Sequence, residues 1–137
     1  MREIILSSQV GLALKLARLS PLALDTDMFQ IVWGGENYTV YVGRLPEIYI
    51  EKTVPLNYFE YRNEKWILYF AMDEVNYRLS PVVVYRGLSD DTLSFRFCLR
   101  AGSFDTFQEE LDHCFSQIEC ALDAFGLACD MIIRNSQ

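Results

Sequence analysis

Apolar residues recur along this chain at two periods, and the switches between them mark the elements. Across residues 8–19, Leu12, Leu16 and Leu19, continued backward by Ile5, form one stripe, with Ser8, Gly11, Lys15 and Arg18 opposite. That pattern predicts an amphipathic helix, begun by Ser7 or Ser8 and stopped at Ser20-Pro21. Its basic face is thin, which favours a helix laid on a sheet over one lying on a membrane. The period then shortens. "MFQIVW" (28–33) and "YTVYVG" (38–43) read as strands joined by Gly34-Gly35-Glu36-Asn37, a hairpin connection of four residues. "EIYIEKTV" (47–54) sets Ile48 and Ile50 against Glu47, Tyr49 and Glu51, so one face packs and the other looks outward.

Pro55 ends this section and "LNYFEYR" is an irregular aromatic connection. Over 63–80 the spacing of Ile67, Phe70, Ala71, Val75 and Leu79 predicts a helix capped by Asn63. Pro81 turns Ser80 away from helical torsions, and the β-branched run "VVVYR" begins a second hairpin. Gly87 to Asp91 make its turn and "TLSFRFCLR" returns, with Leu93, Phe95, Phe97 and Leu99 facing away from Ser94, Arg96, Cys98 and Arg100. A last helix follows Gly102. Ser103 or Asp105 can cap it, and Thr106 to Glu109 fit a capping box. Phe107, Leu111, Phe115, Ile118, Leu122 and Phe125 run down one side, and Gly126 supplies a stop. Glu109, Asp112, Gln117, Glu119 and Asp123 form its solvated side, and the tail 127–137 docks separately. The predicted order is α-β-β-β-α-β-β-α. It is one α+β domain spanning 1–137, an antiparallel sheet of about five strands with helices on one side.

Composition narrows the partners. With 137 residues, 51% of them hydrophobic, the chain is long enough to bury a core. A formal charge of −7 repels phosphate backbones and anionic lipid, which argues against nucleic acid and membranes and leaves protein as the expected contact. Glu3, Lys15 and Arg18 spoil a leader-like or spanning reading of the N-terminus, so the cytoplasm is the expected compartment. Cys98, Cys114, Cys120 and Cys129 contain no C-x-x-C pair and read as packed or idle thiols.

Candidate chemistry is sparse. The lone histidine, His113, adjoins Cys114, but neighbours on a helix face different ways, so they make no dyad. Asp73-Glu74, Asp90-Asp91 and Glu109-Glu110 are adjacent acids of the solvated kind, and Gly34-Gly35 lacks the residues of a phosphate loop. We therefore expect no catalytic set, no metal and no cofactor. The outward sheet face is more informative. It carries Tyr49, Arg96, Cys98 and Arg100, joined by Tyr41 or its neighbours Val40 and Val42, while Val83 and Tyr85 need cover on a strand apolar on both sides. Tyrosine and arginine with little lysine is a composition favoured at protein contacts.

The stretch "AMDEVNYRLSPVVVY", with Glu74-Val75-Asn76 inside the central helix, is followed by the rest of a hairpin over 82–100, "TLSFRFCLRAG", and a long helix striped by Phe107, Leu111 and Phe115. Together with the upstream strand order, these pieces resemble the YbjN-like family over residues 8–125. That family shares its fold with class I type III secretion chaperones. The resemblance implies a small acidic cytoplasmic protein without catalytic residues, regulatory or chaperone-like. It further implies a homodimer built largely through the central helix and the neighbouring strand, and extended polypeptides held on sheet and helix surfaces. Under this reading Tyr41, Tyr49, Val83, Tyr85, Arg96 and Arg100 contact a partner, and Trp66, Phe70 and Tyr77 contribute to the dimer. The alternative is a small-molecule-binding domain or small enzyme with a pocket between the second hairpin and the last helix, its polar groups Arg100, Asp105 and Glu109.

Overall fold

Among the described residues, six strands and three helices follow in the order α1 (Ser7–Leu16), β1 (Leu22–Asp25), β2 (Met28–Trp33), β3 (Glu36–Val42), β4 (Glu47–Pro55), α2 (Lys65–Arg78), β5 (Val82–Arg86), β6 (Thr92–Arg100) and α3 (Phe104–Ser136). This computed structural model describes residues 7–43, 47–56, 65–78, 82–87, 91–100 and 103–136. Ile5, Asn63, Leu79, Ser80, Pro81, Gly102 and most of the aromatic connection after Pro55 lie outside them. The α+β class and the antiparallel sheet with helices on one side are as the sequence predicts. The strands are arranged β1-β2-β3-β4-β6-β5.

One strand more than expected opens the sheet. "LALD" has neither alternation nor strong strand propensity, and all four residues of β1 are exposed. It is a strand because the chain turns back at Thr26-Asp27 and sets Leu22 opposite Gln30 and Ala23 opposite Phe29. The first hairpin loop is also tighter than predicted. Gly34 and Gly35 have φ of 59° and 78°, Trp33 pairs with Glu36, and the turn holds two residues with the twist that hairpins favour.

Helix α1 is rolled from its predicted orientation. Val10, Ala13 and Leu14 are buried, whereas Leu12 and Leu16 are exposed. The helix ends at Leu16, and Arg18 and Ser20 take left-handed φ of 59° and 50°. Leu19 therefore reaches the core from beyond the helix, and the leucine spacing does not describe one helical face. Helix α2 buries Ile67, Leu68, Ala71 and Val75, with Phe70 turned outward instead of joining them.

Helix α3 is the longest correction. Ser103 is its cap: the Thr106 N–H donates to Ser103 Oγ at 3.2 Å. The helix then continues through Gly126 to Ser136, so the tail is its last turns. Ala128 and Cys129 are buried there, and Leu122, Phe125 and Cys129 extend one apolar stripe past the glycine. That packing outweighs the weak helix propensity of a single glycine. The core lies between α3 and the inner sheet face, where Phe115 stacks on Trp33 at 5.1 Å and meets Tyr38 edge-on at 5.0 Å.

Candidate functional site

Alternation places Tyr41 of β3, Tyr49 and Glu51 of β4, Arg96 of β6, and Val83 and Tyr85 of β5 on the sheet face away from the helices. Register then gathers them: Tyr41 is opposite Tyr49, and Glu51 and Val83 flank Arg96 from its two neighbouring strands. The Arg96 guanidinium carbon lies 5.0, 5.1 and 5.6 Å from the ring centres of Tyr49, Tyr85 and Tyr41. A guanidinium among three aromatic faces is favoured by their quadrupoles. Its Nη2 donates to Glu51 Oε2 at 3.1 Å, and the Tyr85 hydroxyl donates to Glu51 Oε1.

Glu51 is only 5% exposed although no described helix covers this face. The rings and the guanidinium cover it, and they supply the donors that a buried carboxylate requires. Burial, then the bond and charge of Glu51, push the Tyr85 hydroxyl up to about 12. Tyr41 is raised for the same leading reason. Burial would lower the Arg96 pKa, but the Glu51 carboxylate outweighs it and the group stays cationic. Thr53 and Ser94 share a hydrogen bond of 2.9 Å beside the cluster. Together with Tyr41, Glu51, Tyr85, Thr92 and Arg96 they line a cavity of about 530 Å³. Arg96 Nε itself is buried behind the cavity wall without a hydrogen-bond partner. Gly43 gives the Tyr49 ring its place, since a Cβ there would come within 2.8 Å of Tyr49 Cε2.

Two solved structures have this architecture. YbjN from E. coli, described as a proposed transcription regulator, superposes with a TM-score of 0.64 over 88% of this chain and 89% of its own, at 10% identity. The fold is that of YbjN. An uncharacterized protein from Methanothermobacter thermautotrophicus matches this chain with a TM-score of 0.60 over 91% of it and 97% of its own length, at 9% identity. No protein-family model matches the sequence, and no curated protein matches it. Identity this low carries the fold and no residue roles.

A second surface of the YbjN-like fold belongs to the helices. Trp66, Phe70 and Tyr77 recur at helical spacing on one side of α2 and are 47%, 61% and 88% exposed. Beside them, Phe70, Val75, Ala124, Leu127, Ala128 and Met131 border a largely apolar groove of about 410 Å³ between α2 and the end of α3.

The other predicted positions are less concentrated. Arg100 ends β6 opposite Glu47, and its side chain lies outside the described residues. Asp105 and Glu109 are exposed on α3, and neither lines the cavities on the sheet face or the helix groove. His113 is exposed while Cys114 is buried, so the two point apart. Burial pushes the Cys114 thiol up to about 12 and the Cys129 thiol to about 11, which leaves both protonated and unreactive at neutral pH. Among the described residues no group of three or more His, Cys, Asp or Glu side chains is placed to hold a metal ion, and no helix is long and apolar enough to cross a membrane.

Two ionic residues escaped the sequence reading. Glu51 sits on the right face by alternation, but only the β4–β6 register reveals Arg96 opposite it. Lys52 points into the core and is 4% exposed. Its Nζ lies 2.8 Å from Glu119 Oε1 and also pairs with Glu36. Tyr38 donates to the same Glu119 oxygen. Glu119 therefore does not belong to the freely solvated side of α3. Burial would raise its pKa, but the bonds from Lys52 and Tyr38 lower it.

Proposed function

We propose that this chain is a non-catalytic polypeptide-binding domain, chaperone-like or regulatory, that acts as a homodimer. The observation that carries the reading is the sheet face without a described helix, centred on Arg96 and its three tyrosines. Six strands at a spacing of about 4.8 Å, the longest of nine residues at about 3.3 Å each, give that face up to about 700 Å². A standard interface takes about 800 Å² from each partner. Rigid tyrosines around a guanidinium suit such contacts, because aromatic and arginine anchors dominate binding energies. The exposed stripe of α2 and the adjoining groove supply the apolar surface for the second copy, by the helix-in-groove mode.

The two faces can be tested separately. Sedimentation of the parent chain should give a dimer, and Phe70→Ser with Met131→Ser should give a monomer of unchanged circular dichroism. The Tyr49→Ser, Tyr85→Ser pair should leave the fold and the dimer intact but weaken binding of a reduced, unfolded polypeptide. A parent chain that stays monomeric at high concentration and takes up no unfolded polypeptide would sink the proposal.

The polar cavity beside Arg96 favours one second reading, a small ligand bearing a carboxylate. It would sit on the outer sheet face, not between the second hairpin and α3. A rise in melting temperature with small carboxylates that Arg96→Met abolishes would select it.

A further inference from the structure

The cavity on the outer sheet face is walled by hydroxyl groups as well as by Arg96. Thr92, Ser94 and Arg96 point the same way from β6, and strand register sets Thr53 and Tyr85 on either side of Ser94. Ser94 is 2% exposed, a deep position for a hydroxyl on a face that no described helix covers. Its Oγ lies 2.9 Å from Thr53 Oγ1, so a buried serine fixes the hydroxyl of an exposed threonine. Thr92 adds a second hydroxyl at the far end. Gly87 makes room for it, since a Cβ there would come within 2.1 Å of Thr92 Oγ1 and 3.4 Å of Ser94 Oγ. The Gly87 N–H donates to the Thr92 carbonyl at 3.1 Å and ties that end of the cavity together.

Arg96 supplies the charge at the other end. Its side chain is 36% exposed and that of Glu51 only 6%, so a ligand meets the guanidinium before the carboxylate. Arg86 also borders the cavity, but its guanidinium stands 6.0 Å over the Tyr69 ring and acts through charge alone. Two arginines against Glu51 give the border one net positive charge on a chain of net charge −7. One negative charge on the ligand balances it. The hydroxyls decide the rest of the ligand. An aliphatic tail would strip water from Thr53 and Thr92 and return no hydrogen bond, which is unfavourable. Ligand hydroxyls give and take bonds as threonine hydroxyls do. Along the strands, Thr53 and Thr92 lie about 7 and 13 Å from Arg96, so a chain of a few carbons reaches the nearer hydroxyl. We propose that this cavity binds a small polyhydroxylated carboxylate, its acid group on Arg96 and its hydroxyls on Thr53 and Thr92, with Ser94 positioning Thr53. A volume of about 530 Å³ is within the range of small-molecule sites. The assignment rests on the small-carboxylate reading above and names the rest of that ligand; it is independent of the homodimer and of polypeptide uptake.

Calorimetric titration of the full chain with gluconate, galactonate, hexanoate and sorbitol separates the acid group from the hydroxyls. The better of the two sugar acids should bind about tenfold more tightly than hexanoate, the worth of one or two added hydrogen bonds. Sorbitol should not saturate the site. Thr53→Val keeps the shape and the strand propensity and lacks only the hydroxyl. It should weaken the sugar acid about fivefold and leave hexanoate unchanged. Ser94→Ala should lower the same ratio, because Thr53 is then no longer held. Arg96→Met should abolish binding of every acid. Hexanoate binding as tightly as both sugar acids, or a sugar acid to hexanoate ratio that Thr53→Val leaves unchanged, would overturn the inference and leave the carboxylate reading standing. Binding of none of the four, sorbitol binding as tightly as the sugar acids, or acid binding that survives Arg96→Met would overturn both.

Discussion

Lys52 is an amine held against the core with almost no access to water, a position tenable only because Glu36 and Glu119 answer its charge. The Tyr38 ring adds a weaker contact 5.4 Å from Nζ. Burial would lower the lysine pKa, but both carboxylates raise it, and Glu119 is lowered in return. For a carboxylate whose folded pKa is depressed, the linked stability is complete above its unfolded value. It is lost as pH falls through the folded value. The unfolded value here is near 4.5. The parent chain should therefore melt well above Glu119→Gln at pH 7, and the gap should close as the pH is taken below 4.5 and through the lowered folded value. Melting curves of the two proteins at stepped pH check this. A gap of constant size down to pH 3 would mean that Glu119 contributes shape and not charge.

At the scale of elements, Gly126 is the telling residue. It lies inside α3, its φ is not left-handed, and an added Cβ would meet nothing within 4 Å. Gly126→Ala should accordingly raise stability by about 0.5–1 kcal/mol, read as a higher urea midpoint at unchanged slope. The same residue explains a misreading: glycine after an apolar stripe is the ordinary stop signal, and only the burial of Ala128 and Cys129 beyond it overrides that signal. Where local chemistry and packing agree, the sequence suffices. The spans of β2, β5 and β6, the Ser103 cap and the inward Leu93-Phe95-Phe97-Leu99 row were all legible from alternation and capping. Where packing alone decides, they were not. Strand β1 exists only because β2 is there to pair with, and α1 shows the core Val10, Ala13 and Leu14 instead of its leucines. The outer cluster was half legible for a related reason. Alternation put Tyr49 and Arg96 on one face and left Tyr41 open against Val40 and Val42 and Tyr85 on a strand apolar on both sides, while the buried Glu51 that joins Arg96 to Tyr85 follows from strand register, which no single strand encodes.

At the scale of the molecule, the formal charge of −7 sets a condition on self-association. Two copies touching, with centres about 35 Å apart for chains of this size, repel by about 6 kcal/mol in water without salt. The screening length is about 30 Å at 0.01 M salt and about 10 Å at 0.1 M, so roughly 2 kcal/mol survives at the lower concentration and almost none at the higher. A dimer joined through Trp66, Phe70, Leu127 and Met131 has no ionic attraction in those side chains to lose, and its apolar burial is indifferent to this range of salt. Its dissociation constant should therefore fall about tenfold between 0.01 M and 0.1 M salt and then level off, as followed by sedimentation equilibrium. A basic polypeptide taken up on the outer sheet face should behave in the opposite sense, because salt screens its attraction to the net negative charge of the chain. Opposite salt slopes for self-association and polypeptide uptake would thus assign the two events to the two faces. A dimer that weakens steadily with salt would instead have to be built on ion pairs, which the exposed stripe of α2 and the apolar residues of its groove do not provide.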